Sequence, residues 1–395
     1  MQVPSTELES RMSHFRARVE SSCPEWEIAV IFGRINLFYF TGTMQDGMLV
    51  ITRGDPATFW VRRSFERALD ESRFRQIKPM AGFRDAAGSV NKLPARVYLD
   101  TEAVPLALYQ RFHKHFPFAE VRSLDAELGR VRAVKSAFEL SRMEQAGRIH
   151  QRVLEERVPA LLREGISEAE LAAELLAVMV AEGHHGVVRF STAESDVALG
   201  LVGFGESSLY PVFLDGPGGN RGMSPAAPMF GSRTRQLTAG DLVYIDTGCS
   251  VEGYHTDKTL TYSFGRAPSD EVQAAQAKCV EVQNQIAAML RPGAVPSQIY
   301  ETVIESLDAG FLDNFMGFGS RKVKFLGHGI GLLVDEFPAL AKGFDEPLQA
   351  DMVLAIEPKK GIKGAGMVDI ENTFLVTLDG GRSLTGCSPG LVRVK

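Results

Sequence analysis

The sequence predicts an α/β (α+β) chain of two domains, residues 1–126 and 127–395, and three observations carry that prediction. Within residues 27–62 the runs EIAVIF, INLFYFTG, GMLVITR and ATFWVRR are short, β-branched and aromatic, with Gly, Asn, Asp or Pro between them. They read as strands of one sheet. RVYLD at 96–100 adds another, and Phe65 to Asp70, Pro105 to Phe116 and Leu124 to Val134 read as helices, which makes the first region an α/β unit. The pattern then changes. From Ser136 to Glu164 the residues Phe138, Leu140, Met143, Ile149, Val153 and Leu154 recur near helical spacing, predicting a long amphipathic helix that opens the second domain.

The rest of the second region follows element by element. Ser167 with Glu170 three residues on forms a capping box for a helix running to about Glu182. Between Gly205 and Gly231 there are six glycines and four prolines in 27 residues, too many for regular structure, and so long a loop is expected to line a functional site. Helices at about 270–290 and 296–309 separate two strand-rich stretches, 241–264 and 351–378.

Composition removes several classes of function. Hydrophobic residues make up 45% and charged residues 23% of the chain, so a substantial core is expected and general disorder is excluded. A net charge of −6 lacks the cationic excess needed to bind a phosphate backbone, so nucleic acid is excluded as a partner. The most apolar window, Ala172 to Ala181, is interrupted by Glu174 and is too short for a membrane span; the charged N-terminus lacks a signal peptide's apolar stretch. Cys23, Cys249, Cys279 and Cys387 lie far apart with no C-x-x-C spacing, which fits reduced thiols in a cytoplasmic protein.

The chemistry concentrates in two acidic hairpins and one histidine. In LVYIDTGCSVEGYHTDKTLTY, Ser250-Val251-Glu252-Gly253 reads as a turn; centred between Val251 and Glu252, it sets Asp246 opposite Asp257. In MVLAIEPKKGIKGAGMVDIENTFLVT, a turn centred on Gly364 sets Glu357 opposite Glu371. Facing like charges repel, most severely where desolvated, so a cation is expected between them. His328, between Gly327 and Gly329 in FLGHGIGL, can come close because those glycines let the backbone approach. Four carboxylates and one imidazole suit two divalent ions, Mn²⁺, Co²⁺ or Fe²⁺ with Zn²⁺ as a further candidate, which about 3.5–4 Å apart hold a hydroxide and polarise a carbonyl.

In order, YIDTG, YHTDKT, GHGIG, AIEPK and DIENT resemble the pita-bread metallopeptidases: aminopeptidase P, prolidase and methionine aminopeptidase. The resemblance covers roughly residues 130–395, while the region before it resembles the creatinase-type N-terminal domain of aminopeptidase P and prolidase. It implies a creatinase-type N-terminal α/β domain followed by a pita-bread catalytic domain, and cleavage of short X-Pro peptides. It further implies metal ligation by Asp246, Asp257, His328, Glu357 and Glu371, with Asp257 and Glu371 bridging and Glu357 doubling as general base. A homodimer is the implied assembly.

Two departures concern histidines that handle substrate in the family. Where the family has V-H-E this chain has Val334-Asp335-Glu336, and the loop LDGPGGNRGMSPAAP lacks the second histidine before Ser224-Pro225. Asp335 then stands at a catalytic position, and Arg189, Asn220, Arg221 and His255 become the candidates for binding substrate. Another hydrolase or lyase on this fold, or a non-catalytic binding module, are the competing expectations.

Overall fold

The computed structural model describes residues 2–88, 90, 93–191, 195–387 and 389–395. The chain divides into two compact units, Met1–Arg132 and Ala133–Lys395. In the first, a helix Ser5–Ser22 precedes a mixed sheet of six strands among the described residues, with Ile28–Ile31 central between Gly47–Thr52 and Arg96–Leu99. Ile28, Val30, Met48, Val50, Trp60, Val97 and Leu99 meet Phe112 and Phe116 in one core.

One expected strand in this unit is a helix. INLFYFTG folds as Arg34–Thr41, because Asp100, 68 residues away, accepts the backbone N–H groups of Phe32 (2.9 Å) and Gly33 (2.7 Å) at its start. Gly42 closes it in the left-handed conformation at φ 75°. Aromatic β propensity was overruled by a cap distant in sequence.

In the second unit the expected helix from Ser136 is built in three pieces: Ala137–Arg152, a π-helical turn Val153–Arg157, and Val158–Leu161. Val158 N–H reaches back five residues to Val153 O. The next donor in that pattern would be Pro159, which has no N–H, and the Leu154 carbonyl accepts the Tyr262 hydroxyl instead, at 2.6 Å. The Ser167–Glu170 capping box forms as expected and starts Glu168–Glu182. Residues 205–231 carry one 3₁₀ turn, Gly205–Leu209, and otherwise run irregularly to the strand Leu242–Val251.

Ten strands among the described residues form the sheet that carries the site. Its main path runs Glu336–Ala341, Phe325–Gly329, Val353–Ile356, Gly366–Thr377, Tyr254–Phe264, Leu242–Val251, Gly200–Phe204. The helix Asp270–Met289 covers it through Val272, Cys279, Val282 and Ile286, all buried in the main core. Cys23, Cys249, Cys279 and Cys387 are all free. Among the described residues no helix is long and apolar enough to cross a membrane.

Candidate metal centre

The first hairpin turns on Glu252 and Gly253, both at positive φ (51° and 95°), a two-residue connection whose twist suits its strands. The turn therefore sits one residue later than expected. Asp246 pairs with Thr259, and Asp257 with Gly248, rather than with each other. Because each partner moves by two residues, the side-chain alternation is preserved and both carboxylates stay on one face.

The second hairpin keeps the expected register. Val353 pairs with Leu375 through to Ile356 with Asn372, and beyond Pro358 the same alignment resumes from Lys359 with Asp369 to Ile362 with Gly366. Glu357 lies in the gap between these two ladders, in the position opposite Glu371, and its N–H turns to Leu326 O at 3.1 Å. Thr259 pairs with Glu371 on its other side. One cross-strand row thus runs Asp246, Thr259, Glu371, and Asp257 stands two residues from Thr259 on the same face.

His328 arrives on the neighbouring strand, opposite Ala355. Its flanking glycines are required by close approach: a Cβ on Gly327 would lie 2.2 Å from Ala355 O, and one on Gly329 2.3 Å from Phe337 O. His328 Nδ1 lies 3.1 Å from Gly329 O, which leaves Nε2 facing Glu357 Oε1 at 3.4 Å. One ligand atom each from Asp257, His328 and Glu371 falls within 4.8 Å of the others.

Burial, then Glu371 and Asp246, push the Asp257 carboxyl well above the usual carboxylate range. Burial opposed by Lys359 leaves Glu371 raised to about 7. Burial also acts to raise Glu357, but Lys359 and His328 outweigh it and hold this carboxyl below its ordinary value. For His328, burial is overcome by the Glu357 hydrogen bond and the surrounding carboxylates, which raise it to about 10. Asp257 Oδ1 and Glu371 Oε1 are buried without a hydrogen-bond partner. Unpaired buried carboxylate oxygens facing an imidazole fit a divalent cation, whose bond would replace what these atoms lose on leaving water.

Three neighbours escaped the sequence reading. Lys359, fully buried, places Nζ 2.6 Å from Asp246 Oδ2, 3.0 Å from Glu357 Oε2 and 3.1 Å from Glu371 Oε2. Asp369 Oδ2 is 3.3 Å from the same nitrogen, and Tyr244 donates its hydroxyl to Asp246 Oδ2 at 2.5 Å. The alignment that set Glu357 opposite Glu371 also sets Lys359 opposite Asp369, so this pair was findable.

The five ligand candidates line a cavity of about 270 Å³ whose other walls include Val188, Phe190, Leu201, Leu214, Met229 and Asp335. Residues from the glycine-rich loop are therefore among its lining, as expected. Asp335 accepts Ser191 N–H at 2.7 Å and Ser191 Oγ–H at 2.5 Å. The four substrate-binding candidates fall elsewhere: Arg189, Asn220, Arg221 and His255 are not among the residues that line the cavity. Arg189 is paired with Asp196 at 3.2 Å, and its N–H donates to His255 Nε2. His255 is completely buried, held through Nδ1 to Gly331 O and pushed down to about 3 by that burial, hence neutral. Asn220 turns its Oδ1 to Gly222 N–H, and Arg221 stacks over Tyr210 beside a separate polar cleft.

A mixed sheet that gathers acidic residues from two hairpins around one histidine is the frame of a metallopeptidase. Residues 141–378 match the profile of Metallopeptidase family M24, and residues 11–134 match the Creatinase/Prolidase N-terminal domain. The chain belongs to metallopeptidase family M24. It is 34% identical over 269 residues to the probable dipeptidase PepE of Mycobacterium tuberculosis H37Rv, an overlap of 68% of this chain and 62% of that protein. The match thus spans less than two thirds of that relative. It is 25% identical over 354 residues to the Xaa-Pro dipeptidase of Pyrococcus furiosus, covering 89% of this chain and 91% of that one. Dipeptidase PepE from Mycobacterium ulcerans superposes with a TM-score of 0.79 at 27% identity over 100% of both chains. The prolidase from Pyrococcus horikoshii OT3 has the same fold, with a TM-score of 0.79 at 21% identity over 97% of this chain and 100% of that one.

Proposed function

We propose that this protein is a metal-dependent dipeptidase or aminopeptidase that hydrolyses the bond before proline in short X-Pro peptides. The observation that carries the reading is the convergence of Asp246, Asp257, His328, Glu357 and Glu371 on one cavity, with two of their buried oxygens unpartnered. These residues would hold up to two divalent ions, with Mn²⁺, Co²⁺ or Fe²⁺ suited to so oxygen-rich a set and Zn²⁺ a further candidate. Bound there, such ions acidify water and polarise a carbonyl.

The chain's own groups supply the remainder. Glu357, held ionised by Lys359 and His328, is the carboxylate able to take the proton of an attacking water and pass it to the leaving proline nitrogen. His328, oriented by Gly329 O, presents Nε2 to the cluster. Asp335, a carboxylate on the cavity wall, suits the free N-terminal ammonium of a short peptide. The apolar walls exclude water and fit the proline ring and an apolar neighbour. The named activities of the dipeptidase relatives support this reading, as does the joint presence of both domains of the prolidase type. A cytoplasmic homodimer completes the proposal.

The test is a panel of X-Pro and proline-free dipeptides incubated with metal-stripped protein and added Mn²⁺ or Co²⁺. Turnover restored by metal and concentrated on X-Pro members is expected. Metal-restored turnover of proline-free dipeptides alone, or none on any peptide, would reject the assignment.

A further inference from the structure

The buried lysine divides the carboxylate oxygens into two sets. Asp246 Oδ2, Glu357 Oε2 and Glu371 Oε2 all point at Lys359 Nζ, at 2.6, 3.0 and 3.1 Å. Asp257 Oδ1 and Glu371 Oε1 are left without a partner, and Glu357 Oε1 faces His328. The ammonium is not a passing rotamer. Lys359 is fixed opposite Asp369 by strand register, is 1% exposed, and has the Tyr244 hydroxyl at 3.4 Å and Thr259 Oγ1 at 3.5 Å completing its surroundings.

An ammonium on three of the four ligand carboxylates does electrostatically what a metal ion would do there. It also takes oxygens that a second ion would need, and like charges a few ångströms apart in a desolvated cluster repel strongly. On the opposite side Asp257, His328 and Glu371 can each bring a ligand atom within 4.8 Å of the others, and the group facing them there is an imidazole, itself a metal ligand once its proton is displaced.

We propose that Lys359 is an internal cation competing with one of the two divalent ions: the protein holds one ion tightly at Asp257, His328, Glu357 and Glu371, and admits a second beside Asp246 only as the ammonium gives way. The inference rests on the metal-binding part of the functional reading and not on the choice of substrate.

The test uses the whole metal-stripped chain titrated with MnCl₂, read by calorimetry and by metal analysis after desalting. Wild type should retain one Mn²⁺ per chain and bind a second roughly 10–100-fold more weakly, the range expected when a neighbour of a ligand set controls affinity. Lys359→Met combined with Asp369→Asn removes the pair without changing net charge, and should retain two. Lys359→Arg keeps a cation in place and should retain one. Two equally tight ions in wild type, or a folded double variant that still retains one, would overturn the proposal. Should the double variant not fold, Lys359→Gln alone decides it: two retained Mn²⁺ support the proposal and one overturns it. X-Pro turnover with two tight ions would reject Lys359's role and leave the peptidase reading standing; one tight ion without peptide turnover would do the reverse.

Discussion

The two acidic hairpins serve the same centre by different means. The hairpin 242–264 is closed by two left-handed residues and presents Asp246 and Asp257 on a diagonal, each facing an uncharged neighbour, Thr259 and Gly248. The hairpin 353–377 is interrupted at Pro358 and sets Glu357 and Glu371 in opposing positions, with Lys359 and Asp369 opposed just beyond. A diagonal spreads two like charges apart; direct opposition concentrates them, and there a lysine has been supplied. The charge problem is eased by spacing in the first hairpin and met by an internal counter-ion in the second, whose ammonium also reaches across to Asp246 at 2.6 Å.

That contrast can be broken at Asp257, whose Oδ1 has no protein partner. Asp257→Asn should lower turnover by more than about 100-fold and lose tightly held metal, since it removes a ligand rather than a ligand's neighbour. Circular dichroism should show the fold retained, and near wild-type turnover would count against the site. Tyr244→Phe tests the support of Asp246 in the same hairpin. Losing the 2.5 Å hydrogen bond should weaken metal affinity by about 10-fold, measured by calorimetry, and leave the fold unchanged.

A pH series separates the hairpins' charges from the metal's effect. Glu371 is raised from 4.5 to about 7 and Asp257 is raised well above 3.8, so metal-free folded protein binds more protons than unfolded protein in that interval. His328, raised from 6.5 to about 10, extends the same sign upward. Stability from these groups is present at low pH and lost as pH rises; the buried His255, pushed down to about 3, acts with the opposite sign only below about pH 7, so the metal-free Tm should fall between about pH 7 and 9. Saturating Mn²⁺ should flatten or invert the slope, because the ion requires the deprotonated ligands. A metal-free Tm that climbs across this range would contradict the assignment of raised carboxyls. The smallest effect is expected at the turn: Glu252→Asn replaces a left-handed Glu by a residue better suited to it, against loss of the 3.2 Å contact with Arg142. The net change should be under about 1 kcal/mol by chemical denaturation.

What the sequence revealed follows the physics of each element. Mirror spacing about Gly364 is legible because a hairpin with many intervening residues has one alignment that pairs its apolar runs, and it located Glu357 and Glu371. The 242–264 turn was misplaced by one residue because a Glu in a left-handed turn position gives no local signal, whereas the shared face survived the slip. Lys359 and Asp369 obey the same mirror spacing, but an opposed Lys–Asp pair is equally at home on a solvated hairpin face, so its burial is not legible from spacing. The helix Arg34–Thr41 was hidden because its cap, Asp100, lies just past the end of a strand distant in sequence. Arg189, Asn220 and Arg221 are candidates by loop position and His255 by flanking the acidic pair; Asp196, Tyr210 and Gly331 engage Arg189, Arg221 and His255 through the folded structure, and Asn220 turns locally to Gly222 N–H.

The central claim is that Asp246, Asp257, His328, Glu357 and Glu371 form a metal centre on which activity depends. Anomalous diffraction from crystals soaked in Mn²⁺ tests it most directly. The account predicts a strong manganese peak bonded to Asp257, His328 and Glu371; a protein that turns over X-Pro peptides with Mn²⁺ yet shows no peak among these side chains would contradict it.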